Sequence, residues 1–287
     1  MINEEYRQLV LEDIRKYEGI WRPVRASLPE RLLRRKAPAE KLHPNPDDEF
    51  SKPGVGPNYE IVGRYAEEIR RAQGRSYEPI RERLMVQKMS TGGYMILNGH
   101  HRWMAAHRMG LPKLPVRVIN APDDQKILLE LKNSDKKMCV SFDLDEVLLT
   151  DGERCEKDRE LIFPLNRIIP KTLRKNAGIL MNELTKAGFD VWVYTGSWYS
   201  EDDIRFLLRL GRTTAYGIVN GAGRRKTGKI REAFREKYTV SLHIDNQSIT
   251  AVNFKTGEHC TADLSGNPET WAADAMKAIK ELNPDGD

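Results

Sequence analysis

The feature that most constrains the fold is a series of three apolar runs in the second half of the chain, each followed by a side chain that carries oxygen. The runs "CVSF", "VWVY" and "VSLHI" precede Asp143, Thr195 and Asp245, and helical patterns such as "RKNAGILMNELTKAG" stand between them. Alternating strands and helices of these lengths predict a parallel β-sheet with helices on both faces. Active sites of such sheets form at the carboxyl ends of the strands. If the three strands are neighbours, the three side chains are therefore expected to converge.

The first of these runs ends in a pair of acids that needs a counter-charge. Asp145 follows Asp143 with one residue between them, and two carboxylates held close together repel each other. Two convergent carboxylates and a backbone carbonyl make an octahedral site for Mg²⁺ that leaves positions for water and a phosphate. The sequence therefore predicts a magnesium site at the carboxyl edge of the sheet.

Four short motifs in this half of the chain resemble those of the haloacid dehalogenase superfamily of phosphotransferases, in the same order. "DLDEV" at 143–147 resembles the first motif, and "VYTGS" with Thr195 resembles the second. Lys226 in "RRKTGKI" matches the lysine of the third, and "HIDN" resembles the fourth. The resemblance covers residues 137–250 and implies a Rossmann-like parallel sheet with a phosphoryl-transfer site.

This resemblance implies a role for each motif residue. Asp143 would attack phosphorus and form an aspartyl-phosphate, while Asp145 would protonate the leaving oxygen and then deprotonate water. Thr195 and Lys226 would hold the oxygens of the transferring phosphoryl group. Asp143, Asp245 and the main-chain carbonyl of Asp145 would bind Mg²⁺. The implied enzyme is a Mg²⁺-dependent phosphatase.

Two positions depart from the usual pattern of this superfamily. Asn246 stands where the fourth motif often has a second acid, which would weaken the metal site, and Lys229 is a second lysine near the third motif. Lys226 is preferred because it falls four residues before the apolar Ile230. The spacing between the motifs leaves no room for a large cap domain. The resemblance therefore implies a capless enzyme for bulky or macromolecular substrates, or one that another domain covers.

The other informative feature is a strand-to-helix turn in "GYMILNGHHRWMAAHRMG". The strand ends at Asn98 and Gly99, and the helix begins at His100 or His101. Glycine permits a tight turn and close backbone approach, and the first amides of a helix can bind an anion. Arg102 would add a bidentate contact to a phosphate. The pattern predicts a phosphate-binding turn made of these five residues.

This turn resembles that of the ParB/sulfiredoxin superfamily, in which a glycine-x-x-arginine turn follows a strand and opens a helix. The upstream "LHPNPDDEF" is similar to the first box of that superfamily, and the resemblance spans residues 36–120. His100 stands where sulfiredoxin needs cysteine, so the kinase-like branch is favoured. The resemblance then implies phosphates of ATP or ADP on Gly99, His101 and Arg102. An acid near the acceptor hydroxyl would be one of Asp47, Asp48 and Glu49.

Two other functions fit the same residues. The ParB-like region could bind DNA or RNA while the second domain removes terminal phosphates, although the region shows no dense Lys/Arg stripe with interleaved aromatic residues. Both folds could also sense phosphorylated ligands without catalysis. The favoured partner is a phosphorylated small molecule or a nucleotide, with nucleic acid as the alternative.

The domain organisation follows from where the regular patterns stop. We predict a helical extension over 1–35, a ParB/sulfiredoxin-like α+β domain over 36–122, a linker over 123–136 and a phosphatase domain over 137–287 that ends in the amphipathic pattern "ETWAADAMKAIKEL". No apolar run is long enough to span a membrane. The three scattered cysteines and an N-terminus unlike a signal peptide favour a reduced, cytoplasmic protein.

Overall fold

The computed structural model of the chain describes residues 2–52, 54–72, 79–163, 169, 171–221, 227–245, 247–264, 267 and 269–282. The chain divides into two units, Met1–Ala121 and Pro122–Asp287. The helices are α1 (Ile2–Tyr17), α2 (Leu28–Leu33), α3 (Tyr59–Ala72), α4 (His100–Arg108), α5 (Asp124–Asn133), α6 (Ala177–Lys186), α7 (Glu201–Leu210), α8 (Thr227–Lys237) and α9 (Trp271–Leu282). The strands are β1 (Lys36–Pro38), β2 (Leu42–Pro44), β3 (Leu84–Lys88), β4 (Tyr94–Asn98), β5 (Lys113–Val118), β6 (Met138–Asp143), β7 (Leu149–Thr150), β8 (Thr172–Leu173), β9 (Phe189–Thr195), β10 (Gly217–Asn220), β11 (Val240–Ile244), β12 (Ser248–Asn253) and β13 (His259–Asp263). Within the described ranges, no helix is long and apolar enough to cross a membrane.

The first unit contains a mixed five-stranded sheet in the order β1-β5-β3-β4-β2. The strands β3 and β4 pair antiparallel as a hairpin and are joined by the "STGG" turn. Both glycines of the turn, Gly92 and Gly93, have positive φ, which favours glycine. The core of this unit combines strand residues such as Val86 and Ile96 with Ile69 of α3 and Trp103 of α4. The sheet therefore carries α4, and with it the predicted phosphate-binding turn.

The first 35 residues are only partly helical and belong to the first unit. Val10 and Ile14 of α1 lie in the same core as the sheet residues. After α1 the chain runs extended, and the Val24 amide donates a 2.9 Å hydrogen bond to the Lys88 carbonyl. Gly19 has positive φ and Pro23 lacks an amide hydrogen, so the helical pattern is interrupted before α2. The predicted helical extension is thus two helices separated by an extended segment.

The second unit has a six-stranded sheet in the order β10-β9-β6-β11-β12-β13. The first four strands are parallel, as predicted, while β12 and β13 add an antiparallel edge. Apolar residues of α6, α7 and α9 pack in one core, and those of α5 and α8 pack in another. The predicted parallel strands are present, but two antiparallel strands extend the same sheet, so the sheet is mixed. The extra strands follow β11 as a meander, and antiparallel strands need only short turns between them.

The predicted linker over 123–136 contains a packed helix. Ile127 and Leu131 of α5 are four residues apart, so both lie on one helix face. They are buried with Trp192 and Phe234 in the core of the second unit. The Asp123 side chain caps the helix by accepting a 2.9 Å hydrogen bond from the Gln125 amide. This segment is therefore part of the second unit and not a free connection.

Candidate functional site

Strand register places Asp143 beside Asp245 at the carboxyl edge of the parallel sheet. Phe142 of β6 is paired with Ile244 of β11, so the two aspartates that follow are neighbours on strands that are roughly 4.8 Å apart. The residues two positions earlier, Ser141 and His243, contact each other at 2.9 Å, which shows that the two strands present matching faces. Like charges in such an arrangement are destabilising without a counter-ion. Asp143 is half-buried and Asp245 is exposed, so a cation could reach both carboxylates from solvent.

A single π-helical turn, Leu144–Leu148, follows Asp143 directly and fixes the first acid. Asp143 Oδ1 accepts a 2.8 Å hydrogen bond from the Glu146 amide. Leu144 and Leu148 are fully buried in the core and hold the turn against the sheet. Single π-helical turns are rare and are frequently found at functional sites. The turn leaves the second oxygen of Asp143 available for another partner.

Two hydroxyl groups hold the carboxylate of Asp145. Thr195 Oγ1 lies 3.1 Å from Asp145 Oδ2, and Tyr199 Oη lies 2.7 Å from Oδ1. Thr195 is itself buried and accepts a 3.1 Å hydrogen bond from the Ser197 amide. The sequence analysis did not identify Tyr199. Its position four residues after Thr195, in the loop between β9 and α7, is a signal that could have indicated it.

The remaining predicted groups of this site are only partly described. Lys226 and Asn246 lie outside the described residues, whereas Lys229 is exposed in the first turns of α8. In the part of the chain that the structure describes, no group of three or more His, Cys, Asp and Glu side chains is arranged to hold a metal. The predicted set needs two carboxylates and one backbone carbonyl. Oxygen donors of that kind suit Mg²⁺, so the residues present fit the ion.

In the first unit, Gly99 has a backbone conformation that favours glycine. Its φ is +101°, and it precedes the first turn of α4. A Cβ atom at this position would lie 3.1 Å from Leu84 Cγ and 3.2 Å from Arg102 Nε. Both backbone strain and close contacts thus oppose any other residue. The turn places exposed Asn98 directly before the first residues of α4.

Arg102 is fixed in place by two acceptors. Its Nη1 donates to Glu82 Oε2 at 2.6 Å, and its Nη2 donates to Asn98 Oδ1 at 3.1 Å. The same side chain lines a cavity of about 600 Å³. The cavity is also lined by three more arginines and two acids, namely Arg64, Arg71, Arg81, Glu68 and Glu82. Arg102 is paired with Glu82 and Arg71 with Glu67, and the lining as a whole still carries more positive than negative charge, which favours an anionic ligand.

The imidazoles of His100 and His101 bind the loop that covers α4. His100 Nε2 accepts a 3.2 Å hydrogen bond from the Asn45 amide, and His101 Nε2 accepts one of 3.0 Å from the Asn58 amide. Burial lowers the pKa of His100 to about 4, although the Asp48 carboxylate 3.6 Å away acts in the opposite direction. Burial also lowers the pKa of His101. Both rings are therefore neutral acceptors at pH 7, and what these residues offer an anion is their backbone amides.

Comparisons with known proteins match only parts of the chain. The family model "ParB N-terminal domain" matches residues 71–134. An uncharacterised protein of Methanocaldococcus jannaschii is 43% identical over 88 residues, which are 29% of this chain and 33% of that protein. The chain thus spans about a third of the length of this curated relative.

A solved structure also matches part of the chain. It is the C-terminally truncated chromosome-partitioning protein ParB from Caulobacter crescentus complexed with CTP-γ-S. The identity is 27%, the TM-score is 0.25, and the match covers 36% of this chain and 55% of that chain. The ParB resemblance seen in the sequence is confirmed for part of its span: the chain contains a region, residues 71–134, that is similar to the ParB N-terminal domain.

Proposed function

We propose that residues 122–287 form a Mg²⁺-dependent phosphatase of the haloacid dehalogenase type. The observation that carries the proposal is the convergence of Asp143, Asp145, Thr195 and Asp245 at one edge of the parallel sheet, in the strand positions that the motifs require. Two neighbouring carboxylates at the end of a sheet repel each other, and a divalent cation bound between them would relieve that repulsion.

In the proposed mechanism each acid has a separate task. The Asp143 oxygen that is not bonded to the Glu146 amide attacks phosphorus, so a P–O bond to Asp143 forms as the bond to the leaving group breaks. Protonated Asp145 gives its proton to the leaving oxygen and then takes one from the water that releases phosphate. Mg²⁺, when bound by Asp143, Asp245 and the Asp145 carbonyl, neutralises charge on the phosphoryl oxygens. Thr195 and Tyr199 hold Asp145 in position for both proton transfers.

The phosphatase is tested by phosphate release from p-nitrophenyl phosphate and from pools of phosphorylated metabolites, with and without Mg²⁺. Asp143→Asn is expected to lower turnover by roughly 10³-fold or more, because it removes the nucleophile. Asp151→Asn is the control: Asp151 is exposed and directly follows β7, and its substitution should leave turnover unchanged. Mg²⁺-dependent turnover that survives Asp143→Asn would contradict the proposal.

We also propose that the first unit binds the phosphates of a nucleotide. Two observations support this second function: residues 71–134 are similar to the ParB N-terminal domain, and Arg102 links the Gly99 turn to an arginine-lined cavity. The lining of this cavity carries a net positive charge, so a phosphate-bearing ligand is expected. A kinase activity requires in addition an acceptor hydroxyl near an acid such as Asp48.

Nucleotide binding is tested by calorimetry with ATP, ADP and CTP. Arg102→Ala is expected to weaken binding by roughly tenfold or more, since it removes a charge-assisted contact. Arg108→Ala, at an exposed arginine of the same helix, is the matched control. Binding of oligonucleotides that falls steeply with salt, without nucleotide binding, would favour the nucleic-acid alternative.

Kinase activity is tested in the Asp143→Asn background, in which the phosphatase is expected to be silent. Phosphorus NMR would follow the nucleotide together with pools of serine, sugars, polyols and oligonucleotides. A new phosphomonoester that disappears with Arg102→Ala would establish the kinase. Absence of turnover in every pool would leave the first unit as a binding module.

A further inference from the structure

The sheet of the second unit has a polar face that continues from the acid site at Asp143 across β11, β12 and β13. It carries His243 of β11, Ser248 and Thr250 of β12 and Thr261 of β13, and we call these four residues the hydroxyl face. His243 and Thr261 are exposed, while Ser248 and Thr250 are half-buried. Antiparallel sheets often turn one face toward water, so polarity alone does not indicate a site. Register, hydrogen bonding and charge provide the further observations.

Alternation along the strands places the hydroxyl face on one side of the sheet. The residues that alternate with it, such as Ile244 and Ile249, point to the other side and are buried in the core that includes α9. On the side of the hydroxyl face, Trp192 of β9 and Val219 of β10 pack with α5 and α8. These two helices therefore lie over β9 and β10, whereas His243 and Thr261, on β11 and β13, remain exposed.

Strand register makes the hydroxyl face continuous with the acid site. His243 is paired with Thr250, and Thr250 is paired with Thr261, so the three side chains form one row. Ser248 lies beside Asp245, whose amide donates a 3.0 Å hydrogen bond to the Ser248 carbonyl. Neighbours in a row are about 4.8 Å apart, and the two rows are about 6.6 Å apart along the strands. One small molecule with its phosphate at the acid site can therefore reach both rows.

The imidazole of His243 is oriented by Ser141. Ser141 Oγ donates to the Leu242 carbonyl at 3.1 Å and lies 2.9 Å from His243 Nδ1. Because a hydroxyl group has one hydrogen, the second bond runs from the Nδ1 hydrogen to Ser141 Oγ. In the neutral ring the lone pair is then on Nε2. The exposed His243 therefore presents a fixed hydrogen-bond acceptor two residues before Asp245, on the same face of the sheet.

The charges on this face disfavour a ligand that carries further negative charge. None of the positions that β11, β12 and β13 contribute to the face is lysine or arginine. The row that contains Ser248 has acids on both sides, because Asp245 precedes it and Asp263 is its partner in β13. A bound Mg²⁺ would neutralise Asp245 but not Asp263. The complementary ligand is therefore uncharged beyond its phosphate and rich in hydrogen-bonding groups.

We infer that the substrate of the phosphatase is the phosphomonoester of a neutral compound with several hydroxyl groups, a sugar or polyol, whose alcohol part lies on the hydroxyl face. The inference rests on the proposed phosphatase function. His243 Nε2 accepts a hydrogen bond from one substrate hydroxyl, and the hydroxyls of Thr250 and Thr261 can donate or accept. The alcohol leaves with the proton that Asp145 supplies. The end of a nucleic acid is a poorer ligand, because it would bring phosphates onto a face without cations.

The first test compares matched substrates of the full chain by phosphate release in the presence of Mg²⁺. Sorbitol 6-phosphate and 6-phosphogluconate are both open-chain esters, and they differ in a terminal hydroxyl group that is replaced by a carboxylate. The kcat/KM of sorbitol 6-phosphate should be higher by about tenfold or more, since the added carboxylate meets acids and no cation on the face. An oligonucleotide with a terminal phosphate should be a poorer substrate than sorbitol 6-phosphate for the same reason.

The second test asks whether the hydroxyl face causes this preference. Its readout is the kcat/KM of sorbitol 6-phosphate divided by that of p-nitrophenyl phosphate, whose leaving group has no further hydroxyl. His243→Ala and Thr250→Val should each lower this ratio by about 5- to 10-fold, because each removes a hydrogen bond to the polyol. His107→Ala, at an exposed histidine of the first unit, should retain the ratio of the parent. Unfolding temperatures near that of the parent show that the variants fold.

The outcomes separate this inference from the function on which it rests. Mg²⁺-dependent release from p-nitrophenyl phosphate, together with a preference for 6-phosphogluconate or for the oligonucleotide, would overturn the inference and leave the phosphatase standing. A ratio that neither His243→Ala nor Thr250→Val lowers would also overturn it, since the polyol would then lie elsewhere. Absence of Mg²⁺-dependent release from every ester, p-nitrophenyl phosphate included, would refute both the phosphatase and the inference.

Discussion

At the scale of single residues, Asp145 shows how the candidate site is organised. One of its carboxylate oxygens is bonded to Thr195 and the other to Tyr199. A general acid and base must keep one orientation through two proton transfers, and a carboxylate with two fixed donors has little freedom to rotate. In the proposed phosphatase Tyr199 would therefore act as a positioning residue, although no motif includes it.

Tyr199→Phe is expected to lower kcat by roughly 10- to 100-fold with little change in KM, since it removes one hydrogen bond to a charged group. Steady-state kinetics on p-nitrophenyl phosphate measure the effect. Tyr216→Phe is the matched control. Tyr216 directly precedes β10, at the end of that strand away from the carboxyl edge, and its hydroxyl donates to the Glu130 carbonyl. Equal losses in the two variants would mean that Tyr199 contributes only to stability.

His100 gives a prediction about pH. Its pKa in the folded chain is about 4, below the ordinary value of 6.5, because the neutral ring is buried and accepts from the Asn45 amide. As pH falls below about 6.5, the unfolded chain binds a proton that the folded chain does not, so stability decreases down to about pH 4. The loss is up to about 3 kcal/mol.

Urea unfolding of the parent and of His100→Gln at pH 7 and pH 5 measures this contribution. The glutamine variant should lose less stability between the two pH values than the parent. His107→Gln, at an exposed histidine of the same helix, should behave as the parent does. An equal pH dependence in all three proteins would show that His100 is not buried in the neutral form. Burial also lowers the pKa of His101, so His101 is expected to account for part of the pH dependence that remains in His100→Gln.

At the scale of elements, the turn into α4 depends on Gly99. Gly99→Ala combines strain at positive φ, about 1–2 kcal/mol, with close contacts to Leu84 and Arg102. Gly92 is a suitable control because its φ is +91° but a Cβ there meets nothing within 4 Å. Gly99→Ala should therefore lower the free energy of unfolding by about 1 kcal/mol more than Gly92→Ala. Equal losses in urea unfolding would indicate that α4 shifts to accommodate the methyl group.

Helix α5 provides the second test at this scale. Leu131→Ala should cost about 2–5 kcal/mol of unfolding free energy, because Leu131 is buried in the core of the second unit. Leu129→Ala, at a 57% exposed position of the same helix, should change stability by less than about 0.5 kcal/mol. Denaturant unfolding followed by fluorescence of Trp192, which lies in the same core, measures both. A negligible effect of Leu131→Ala would mean that α5 does not stabilise the second unit and that residues 123–136 act as a linker, as the sequence predicted.

At the scale of the whole molecule, each candidate site is built from residues of one unit. Asp143, Asp145, Thr195 and Asp245 all lie in Pro122–Asp287, whereas the Gly99 turn and the arginine-lined cavity lie in Met1–Ala121. Phosphate release and nucleotide binding are therefore expected to be separable. Asp143→Asn should leave nucleotide affinity unchanged by calorimetry, and Arg102→Ala should leave phosphate release unchanged. A loss of both properties in either variant would show that the two activities are coupled.

Short-range patterns in the sequence determined most of the individual elements. The strands β4, β6, β9 and β11 and the helices α4, α6 and α9 were predicted, because alternation, helical spacing and turn residues act over a few neighbours. The same local logic indicated Gly99, whose neighbours require a tight turn. It did not indicate β12 and β13, nor that Ile127 and Leu131 anchor the predicted linker in a core.

Only the tertiary structure decided which distant residues meet. Nothing local in the sequence places β6 between β9 and β11, and that order is what sets Asp143 beside Asp245. The same holds for the bond from Tyr199 to Asp145 and for the cavity that joins α3 to Arg102. The sequence by itself determined the chemistry available at each strand end, since side-chain type and local spacing are written in it. Strand order, register and packing between remote segments decided the arrangement, because these depend on burial summed over the whole unit.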